Sequence, residues 1–257
     1  MRRPLAADLH LHTCLSPCAS LEMTPRKIVA RARELGLAMI AVTDHNSAEN
    51  ADAVRQAARG SGLCVLPGME VTTVEEAHLV ALFGEGEAAR SLQELVYDRL
   101  QPGENDEELF GLQVVATADD EVERFEGRLL IGATTLSVGE LVEAVHARGG
   151  LAIAAHIDRE AYSLVGQLGF IPPDLALDAV EISGALDVAA ARARFPEYRG
   201  RPFVTASDAH ALAELGRHPV WIEAEEASFT ELSAALRGEG GRRIFARRPA
   251  TPGAAPQ

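Results

Sequence analysis

The stretch Asp8-Leu9-His10-Leu11-His12 alternates polar and apolar residues, a pattern typical of a half-buried β-strand. Because successive side chains project from opposite faces of a strand, we expect Asp8, His10 and His12 to share one face. Two imidazoles two positions apart on one strand are able to bind the same metal ion. Taken by itself, the stretch is explained equally well by a strand whose polar face meets solvent.

Outside this strand, short apolar runs alternate with helical patterns, which is the signature of parallel strands joined by helices. Helix starts are indicated at Thr24-Pro25, where proline takes the first helical position, and at capping boxes from Ser137 to Glu140 and from Ser228 to Glu231. The runs predict strands at residues 5–12, 37–42, 63–71, 78–83, 151–155, 179–182, 202–206 and 220–223. The chain is therefore predicted to have an α/β fold.

The 257-residue chain contains 24 basic and 38 acidic side chains, for a formal net charge of −14. This length suits one large α/β domain or two small ones. The acidic balance disfavours a long nucleic acid as partner, since binding one needs a broad basic surface. No apolar run reaches the roughly 20 residues of a membrane helix, and three cysteines provide no disulfide framework. We therefore expect a cytoplasmic protein with no membrane partner.

One segment interrupts the alternation of strands and helices. Residues 104–126 contain nine acidic residues and a single basic one, Arg124. We expect an acidic inserted hairpin or lid within about residues 100–130, although an ordinary solvated loop would have the same composition. The main domain is predicted to span residues 1–240, and residues 241–257, rich in Gly, Arg, Pro and Ala, are predicted to form a flexible tail.

Most of the other histidines, and several carboxylates, stand where a predicted strand ends. They occur in Thr43-Asp44-His45-Asn46, in Gly68-Met69-Glu70, at His156 and in Ser207-Asp208-Ala209-His210, while His78 begins a strand. In a parallel β/α barrel the carboxyl ends of the strands meet at one rim, so residues distant in sequence converge there. A single histidine of this kind is more often structural, but so many in one pattern predict a common site.

The predicted site is richer in ligands than one metal ion requires. Six imidazoles and two carboxylates exceed the four ligands of a tetrahedral centre, and their nitrogen and oxygen atoms suit Zn²⁺, Mn²⁺ or Fe²⁺. A carboxylate such as Glu70 is able to bridge two ions about 3.5 to 4 Å apart. We therefore expect two or three divalent metal ions.

Together, these motifs resemble those of the PHP family, the polymerase and histidinol phosphatase superfamily of metal-dependent phosphoesterases. The similar motifs run from near residue 5 to near residue 212 and agree in order, spacing and position at strand ends. The resemblance implies a distorted (β/α)7, TIM-like barrel. The implied ligands of one ion are His10, His12, Glu70 and Asp208, and the same four are the implied catalytic residues. A second ion would be held by Glu70, His78 and His156, and a third by His45 and His210.

The third site departs from the family pattern. Many relatives have a histidine or aspartate five or six positions after the second histidine of the opening motif, where this chain has Cys18. A thiolate binds Zn²⁺ or Fe²⁺ well, so we expect Cys18 to complete this site. The alternative is that Cys18 is a small packed residue in a turn and that the third site is weak or empty. Asp44 and Asp8 are expected to lie behind the ligands and orient an imidazole.

The resemblance implies hydrolysis of a phosphate ester by a metal-activated hydroxide, the substrate being a small phosphomonoester or a nucleotide-like phosphodiester. Arg159, Arg217 and His218 are the candidate residues for binding the substrate phosphate, and segments 157–163 and 170–173 are expected to form the pocket wall. For Arg159, an ion pair with Asp158 or Glu160 is equally consistent with the sequence.

Two other functions remain open at this point. A PHP domain that keeps its metals for structure would act as a binding or regulatory module with little catalysis. An exonuclease acting on nucleic-acid ends is the third candidate, which the acidic balance disfavours. The expected partner is a small phosphorylated substrate, a short nucleotide included.

Overall fold

The chain folds as alternating strands and helices, as its sequence predicts. The computed structural model describes residues 1–245, and that part of the chain contains eleven strands and seven α-helices. In chain order they are β1 (Arg3–Leu11), α1 (Pro25–Glu34), β2 (Met39–Val42), α2 (Ala51–Ala57), β3 (Cys64–Thr72), β4 (His78–Leu82), α3 (Gly86–Arg99), β5 (Val114–Ala116), β6 (Val122–Phe125), α4 (Val138–His146), β7 (Leu151–Ala154), α5 (Leu164–Leu168), β8 (Ala179–Ile182), α6 (Val188–Arg194), β9 (Phe203–Thr205), β10 (Val220–Ala224), α7 (Phe229–Leu236) and β11 (Arg243–Phe245).

Nine of these strands form one sheet in the order β11-β10-β1-β2-β3-β4-β7-β8-β9. The β9 edge returns to β1, because Ala209, just after β9, forms a parallel bridge with Leu11, and the His12 amide donates to the Ala209 carbonyl at 2.9 Å. The seven strands β1, β2, β3, β4, β7, β8 and β9 therefore form a nearly closed barrel. The predicted α/β, TIM-like barrel is confirmed.

Strand β4 departs from the parallel arrangement, since it runs antiparallel to both β3 and β7. Residues 73–77 connect β3 to β4, and so short a connection suits a hairpin but not a parallel crossover, which needs a dozen or more residues. The start of β4 consequently lies at the same edge of the sheet as the carboxyl ends of β3 and β7. His78 joins the rim for this reason, although it precedes its strand.

Two apolar clusters stabilise the barrel. One packs the strands against α1 to α6 and includes Ile28, Val54 and Leu141. The other joins the opposite strand faces to α7 through Leu232 and Leu236. Phe229 at the start of α7 contacts Gly84, which follows β4, so α7 covers the barrel end opposite His78.

The two predicted capping boxes differ in outcome. At α4, Ser137 Oγ accepts from the Glu140 amide, and Glu140 Oε2 accepts from the Ser137 amide at 2.9 Å. At α7, Ser228 caps the helix, but the Glu231 carboxylate accepts from the Glu225 amide and from Arg242. The charged partner Arg242 makes the stronger hydrogen bond, so only half of the second box forms.

The acidic segment contains the predicted hairpin, because β5 and β6 pair antiparallel within it. Val114 and Ala116 pack against Cys14 in the loop after β1, and the Val114 amide donates to the Cys14 carbonyl at 2.9 Å. All residues of β6 are exposed. The hairpin thus lies against the loop that follows the HxH motif, and its role as a lid stays a prediction.

Three residues of the predicted tail belong to a strand. Arg243–Phe245 form β11, which pairs antiparallel with β10, so the sheet includes residues beyond the boundary predicted at residue 240. The rest of the predicted flexible tail falls on residues 246–257, which lie outside the described part of the chain. Among residues 1–245, no helix has the length and apolar character needed to cross a membrane.

Candidate metal centre

Glu70, near the end of β3, lies at the centre of the histidine cluster and is 1% exposed. Its carboxylate lies close to ring nitrogens contributed by β1, by β4 and by the segments that follow β1, β2 and β7. The distances are 3.4 Å to His10 Nε2, 3.4 Å to His12 Nε2, 3.2 Å to His45 Nδ1, 2.8 Å to His78 Nδ1 and 3.2 Å to His156 Nε2. The structure therefore brings the histidines of the separate motifs to one point.

Within residues 1–245, three groups of side chains place their ligand atoms within 4.8 Å of one another. The groups are His10, His12, Glu70 and Asp208, then His45, Glu70 and His78, and then His12, His45 and His210. The first coincides with the set implied for one ion. His156 lies beside the second group, while Cys18 is exposed and belongs to none of the three. The assignment of individual ligands stays a prediction.

Several buried ring nitrogens of this cluster have no hydrogen-bond partner. They are His10 Nε2, His45 Nδ1, His78 Nδ1 and His156 Nδ1. A buried polar atom without a partner is costly. The nitrogens of His10, His45 and His78 face the Glu70 carboxylate, an arrangement that a divalent cation satisfies. The residues present therefore fit a metal centre of mixed nitrogen and oxygen ligands.

The charges of the cluster also suit cations. Burial alone would raise the pKa of Glu70, but His78 and His10 hold that pKa well below its ordinary value. Burial lowers the pKa of His45 well below its usual range, so His45 is a neutral imidazole. Burial opposes protonation of His12, but Asp208 and Glu70 raise its pKa to about 9. Protons and metal ions consequently compete for the same atoms.

The backbone is strained at three positions around the centre. Asn46, His156 and Asp208 have φ values of 50°, 27° and 48° in the left-handed region. Such a conformation costs about 1 to 3 kcal/mol for a residue other than glycine, so surrounding contacts must hold it. At Asn46, the side-chain amide donates to the Leu130 and Gly132 carbonyls at 2.7 Å each. The cluster is therefore flanked by turns whose conformation depends on tertiary contacts.

Asp44 lies behind one of the candidate ligands and contacts it through a serine. Its carboxylate accepts from the Thr13 amide, the Thr13 hydroxyl and the Ser16 hydroxyl, each at 2.7 Å. Ser16 Oγ in turn accepts from His12 Nδ1 at 2.9 Å. Asp44 therefore orients His12 through Ser16, rather than the adjacent His45, and leaves His12 Nε2 facing the metal site.

Asp8 holds a loop and contacts no ligand ring by a hydrogen bond. Its carboxylate accepts from the amide and hydroxyl of Ser207 and from the Gly216 amide, which positions the loop that carries Asp208. The expectation that Asp8 shares a face with His10 and His12 is wrong. The pairing of β1 with β2 shifts register between Asp8 and Leu11, and this irregularity breaks the alternation of side chains.

Glu181 in β8 is a site residue that the sequence analysis missed. Its Oε2 accepts from His10 Nδ1 at 3.0 Å and its Oε1 accepts from the His156 amide at 3.3 Å, and the residue is 2% exposed. This contact presents His10 Nε2 to the metal site. The available signal was a lone charged residue inside the apolar run Ala179–Ile182.

We predict that Glu181→Ala weakens metal binding by about 10- to 100-fold, since His10 loses the partner that orients it. Glu181→Gln retains a hydrogen-bond acceptor for His10, so it should lose less metal affinity than Glu181→Ala. The measurement is a metal titration against a competing chelator. Asp178→Ala is the matched control, because Asp178 likewise binds a histidine, His146, at 2.9 Å and a backbone amide, but outside the centre. Equal affinities for Glu181→Ala and the control would contradict the prediction.

Arg159 pairs with the centre itself. Its Nη1 lies 2.5 Å from Asp208 Oδ2. Asp158 instead accepts from the amide and hydroxyl of Ser183, so the expected alternative of an ion pair between Arg159 and Asp158 or Glu160 is wrong. Burial would lower the pKa of Arg159, but Asp208 raises it, so the guanidinium stays charged at the rim.

Two cavities meet at Arg159, Asp208 and His210. One, of about 270 Å³, opens over Glu70 and is also lined by Ile131, Ala161 and Tyr162. The other, of about 500 Å³, includes Arg217 and His218. The three candidate phosphate-binding residues therefore border the centre. Residues 170–173 line neither cavity, unlike the 157–163 segment.

The rim of this barrel carries a buried cluster of imidazoles and carboxylates whose atoms could hold divalent metal ions. Residues 8–170 match the PHP domain family, and residues 192–239 match the PHP-associated family. The chain belongs to the PHP domain family.

Similarity to individual proteins is more distant. The 5'-3' exoribonuclease Rnm of Escherichia coli (strain K12) is 26% identical over 211 residues, which cover 73% of this chain and 66% of that protein. The uncharacterized protein YqxK of Bacillus subtilis (strain 168) is 35% identical over 111 residues, 41% of this chain and 28% of that protein. The chain thus matches less than a third of YqxK.

Among solved structures, the lesion-specific endonuclease PfuEndoQ of Pyrococcus furiosus has a TM-score of 0.72 and 21% identity, covering 94% of this chain and 58% of that one. Endonuclease Q in complex with a 27-mer duplex containing an abasic lesion has a TM-score of 0.73 and 20% identity, with the same coverage. At these identities the likeness shows the fold, which spans just over half of the endonuclease.

Proposed function

We propose that this protein is a phosphoesterase that cleaves a phosphate ester of a nucleotide-sized substrate at a multinuclear metal centre. The observation that carries the proposal is the convergence of five imidazoles on buried Glu70, beside Asp208 and the cationic Arg159. An excess of ligands for one ion, with a cation at the rim, suits a phosphoryl group that must be both bound and attacked.

In this proposal the ions are held by the three ligand groups, joined by His156 and Cys18. Divalent ions bound there would supply a water that loses its proton near neutral pH, and they would neutralise charge on the phosphoryl group. Glu70 and Asp208 remain ionised, and His12 and His10 are oriented through Ser16 and Glu181. Arg159 would bind a phosphate oxygen by a charge-assisted hydrogen bond.

Substrate size follows from the cavities. The cavity over Glu70, at about 270 Å³, is close to the lower end of small-molecule pockets, which begin near 300 Å³. The second cavity leaves room on the other side of Arg159 for a further substituent, with Arg217 and His218 as polar contacts. A nucleotide, or the end of a short nucleic acid, fits this arrangement better than a long duplex.

An exonuclease acting on nucleic-acid ends is the second candidate, favoured by the similarity to exoribonuclease Rnm over 73% of the chain. The net charge of −14 opposes extended contact with nucleic acid. Degradation of short oligonucleotides from one end, with a strong dependence on salt concentration, would favour this candidate over a nucleotide phosphoesterase.

The test of the proposed function is a turnover assay with metal-loaded protein on nucleoside monophosphates, dinucleotides and short end-labelled oligonucleotides. His10→Ala and Asp208→Ala should lose both metal and turnover. If both variants kept metal content and activity, the proposal would be rejected. If metal-loaded protein cleaved none of these substrates but lost thermal stability on chelation, the regulatory-module alternative would be favoured.

Cys18 is proposed as a ligand of the third ion. Desolvation, followed by the charge of Glu70, raises the pKa of the Cys18 thiol to about 12, so a metal ion would have to displace the thiol proton in order to bind the sulfur. We predict that Cys18→Ser contains one fewer metal ion per chain by elemental analysis. Cys64→Ser is the control, since Cys64 starts β3 at the far end of the barrel. An unchanged metal count in Cys18→Ser would remove Cys18 from the ligand set.

A further inference from the structure

Tyr162 is an aromatic residue at the metal centre that the proposed chemistry does not use. It lines the cavity over Glu70, and it is 50% exposed. Its ring is stacked on that of His78, with centroids 4.8 Å apart and planes 17° from parallel. Ile131 and Ala161 add apolar surface to the same cavity. One wall of a site otherwise built from ionisable groups is therefore apolar and aromatic.

The position of this ring is held by its backbone. Tyr162 has a φ of 57°, a left-handed conformation that costs a tyrosine about 1 to 3 kcal/mol. The Tyr162 carbonyl accepts from the His78 amide at 2.8 Å, which ties the loop to β4. The next residue, Ser163, donates from Oγ to the Arg159 carbonyl at 2.6 Å and accepts from the Gly166 amide at 2.9 Å.

Close packing prevents this loop from relaxing. A Cβ at Gly166 would collide with the Glu160 carbonyl oxygen, so the start of α5 packs tightly against the loop. The same loop carries Arg159, which faces Asp208. A single rigid segment therefore sets both a cation and an aromatic ring beside the metal ligands. Strain retained at a cavity wall indicates that the ring is placed for binding.

We propose that Tyr162 and Ile131 form a subsite for a planar aromatic ring of the substrate, a nucleobase, so that the centre acts on nucleotides rather than on sugar or alcohol phosphates. This inference rests on the proposed function and names its substrate class. Aromatic rings pair by offset stacking, and base stacking on an exposed aromatic side chain tolerates every base because each base has a π-face. The subsite therefore selects for a base without selecting which base.

The test compares two ligands that differ only in the base, AMP and ribose 5-phosphate, by calorimetric binding to the full metal-loaded chain. The wild-type protein should bind AMP more tightly than ribose 5-phosphate. Tyr162→Ala should weaken AMP binding by about 10-fold or more, the range for losing one stacked base, and leave ribose 5-phosphate unchanged. Tyr162→Phe should keep wild-type affinity for both, and Phe170→Ala, an aromatic residue 55% exposed away from the cavity, should change neither.

The outcomes separate this inference from the proposed function. If wild type binds AMP no more tightly than ribose 5-phosphate, or if Tyr162→Ala weakens both equally, the subsite is overturned and Tyr162 only supports His78. Metal content is measured for each variant, and Tyr162→Leu replaces Tyr162→Ala if the latter does not fold. Because binding needs no turnover, a protein that prefers AMP but cleaves no phosphate ester would refute the proposed function and leave the subsite standing.

Discussion

Replacing Glu70 with glutamine is expected to reduce hydrolysis by about 1,000-fold or more. Glu70 is the carboxylate that the second ligand group shares with the first, and its oxygens lie within 3.4 Å of ring nitrogens from five histidines. Glutamine keeps the shape but removes the charge that draws cations into this buried cluster. The measurements are kcat/KM on the best substrate and metal content by elemental analysis.

The control for Glu70→Gln is Glu231→Gln, which removes the charge of another buried glutamate. Glu231 pairs with Arg242 beside α7, at the opposite end of the barrel, so turnover and metal content should stay at wild-type values. A Glu70→Gln protein that retained both metal content and most of its kcat/KM would show that Glu70 does not bridge the ions.

Removing the metal ions is expected to lower the melting temperature by about 10 °C. A ligand whose free concentration is about 1,000 times its dissociation constant stabilises the native state by about 4 kcal/mol. In a protein of this size, each kcal/mol of stability shifts the melting temperature by about 2 to 4 °C. The apo protein would be left with buried, unpartnered ring nitrogens on His10, His45 and His78. The measurement is a thermal melt before and after dialysis against a chelator.

Adding back Zn²⁺, Mn²⁺ or Fe²⁺ should restore the melting temperature, and the ion that restores it most fully also indicates the preferred metal. Glu70→Gln should respond to the chelator much less than wild type, because its centre binds metal weakly. A wild-type protein that contains metal but melts at the same temperature after chelation would contradict the prediction.

The metal centre was largely predictable because its residues are recognisable from local sequence. A histidine or carboxylate that directly follows an apolar run stands at the carboxyl end of a strand, and a barrel brings such ends to one rim. His45, Glu70 and Asp208 were found in this way. His78 was identified as the first residue of a predicted strand and from the family resemblance. It reaches the rim because β4 runs antiparallel to β3.

The supporting contacts were less predictable because they depend on register and backbone conformation. Asp8 was expected beside His10, but an irregular register in β1 separates them. Glu181 was overlooked because it meets His10 across a separation of 171 residues. Arg159 was expected either to bind the substrate phosphate or to pair with an acidic neighbour in sequence. Its partner is Asp208, which lies 49 positions away along the chain.

Strand periodicity and residue chemistry are local properties, so the class of fold and most of the proposed metal ligands could be predicted from the sequence. The tertiary structure alone decided which atoms face one another: Glu181 behind His10, Asp44 behind His12, Arg159 on Asp208, and the Tyr162 ring stacked on His78. These contacts depend on a shifted strand register and on left-handed backbone at His156, Tyr162 and Asp208. Such conformations are stabilised by packing from distant segments, and for that reason no local pattern reports them.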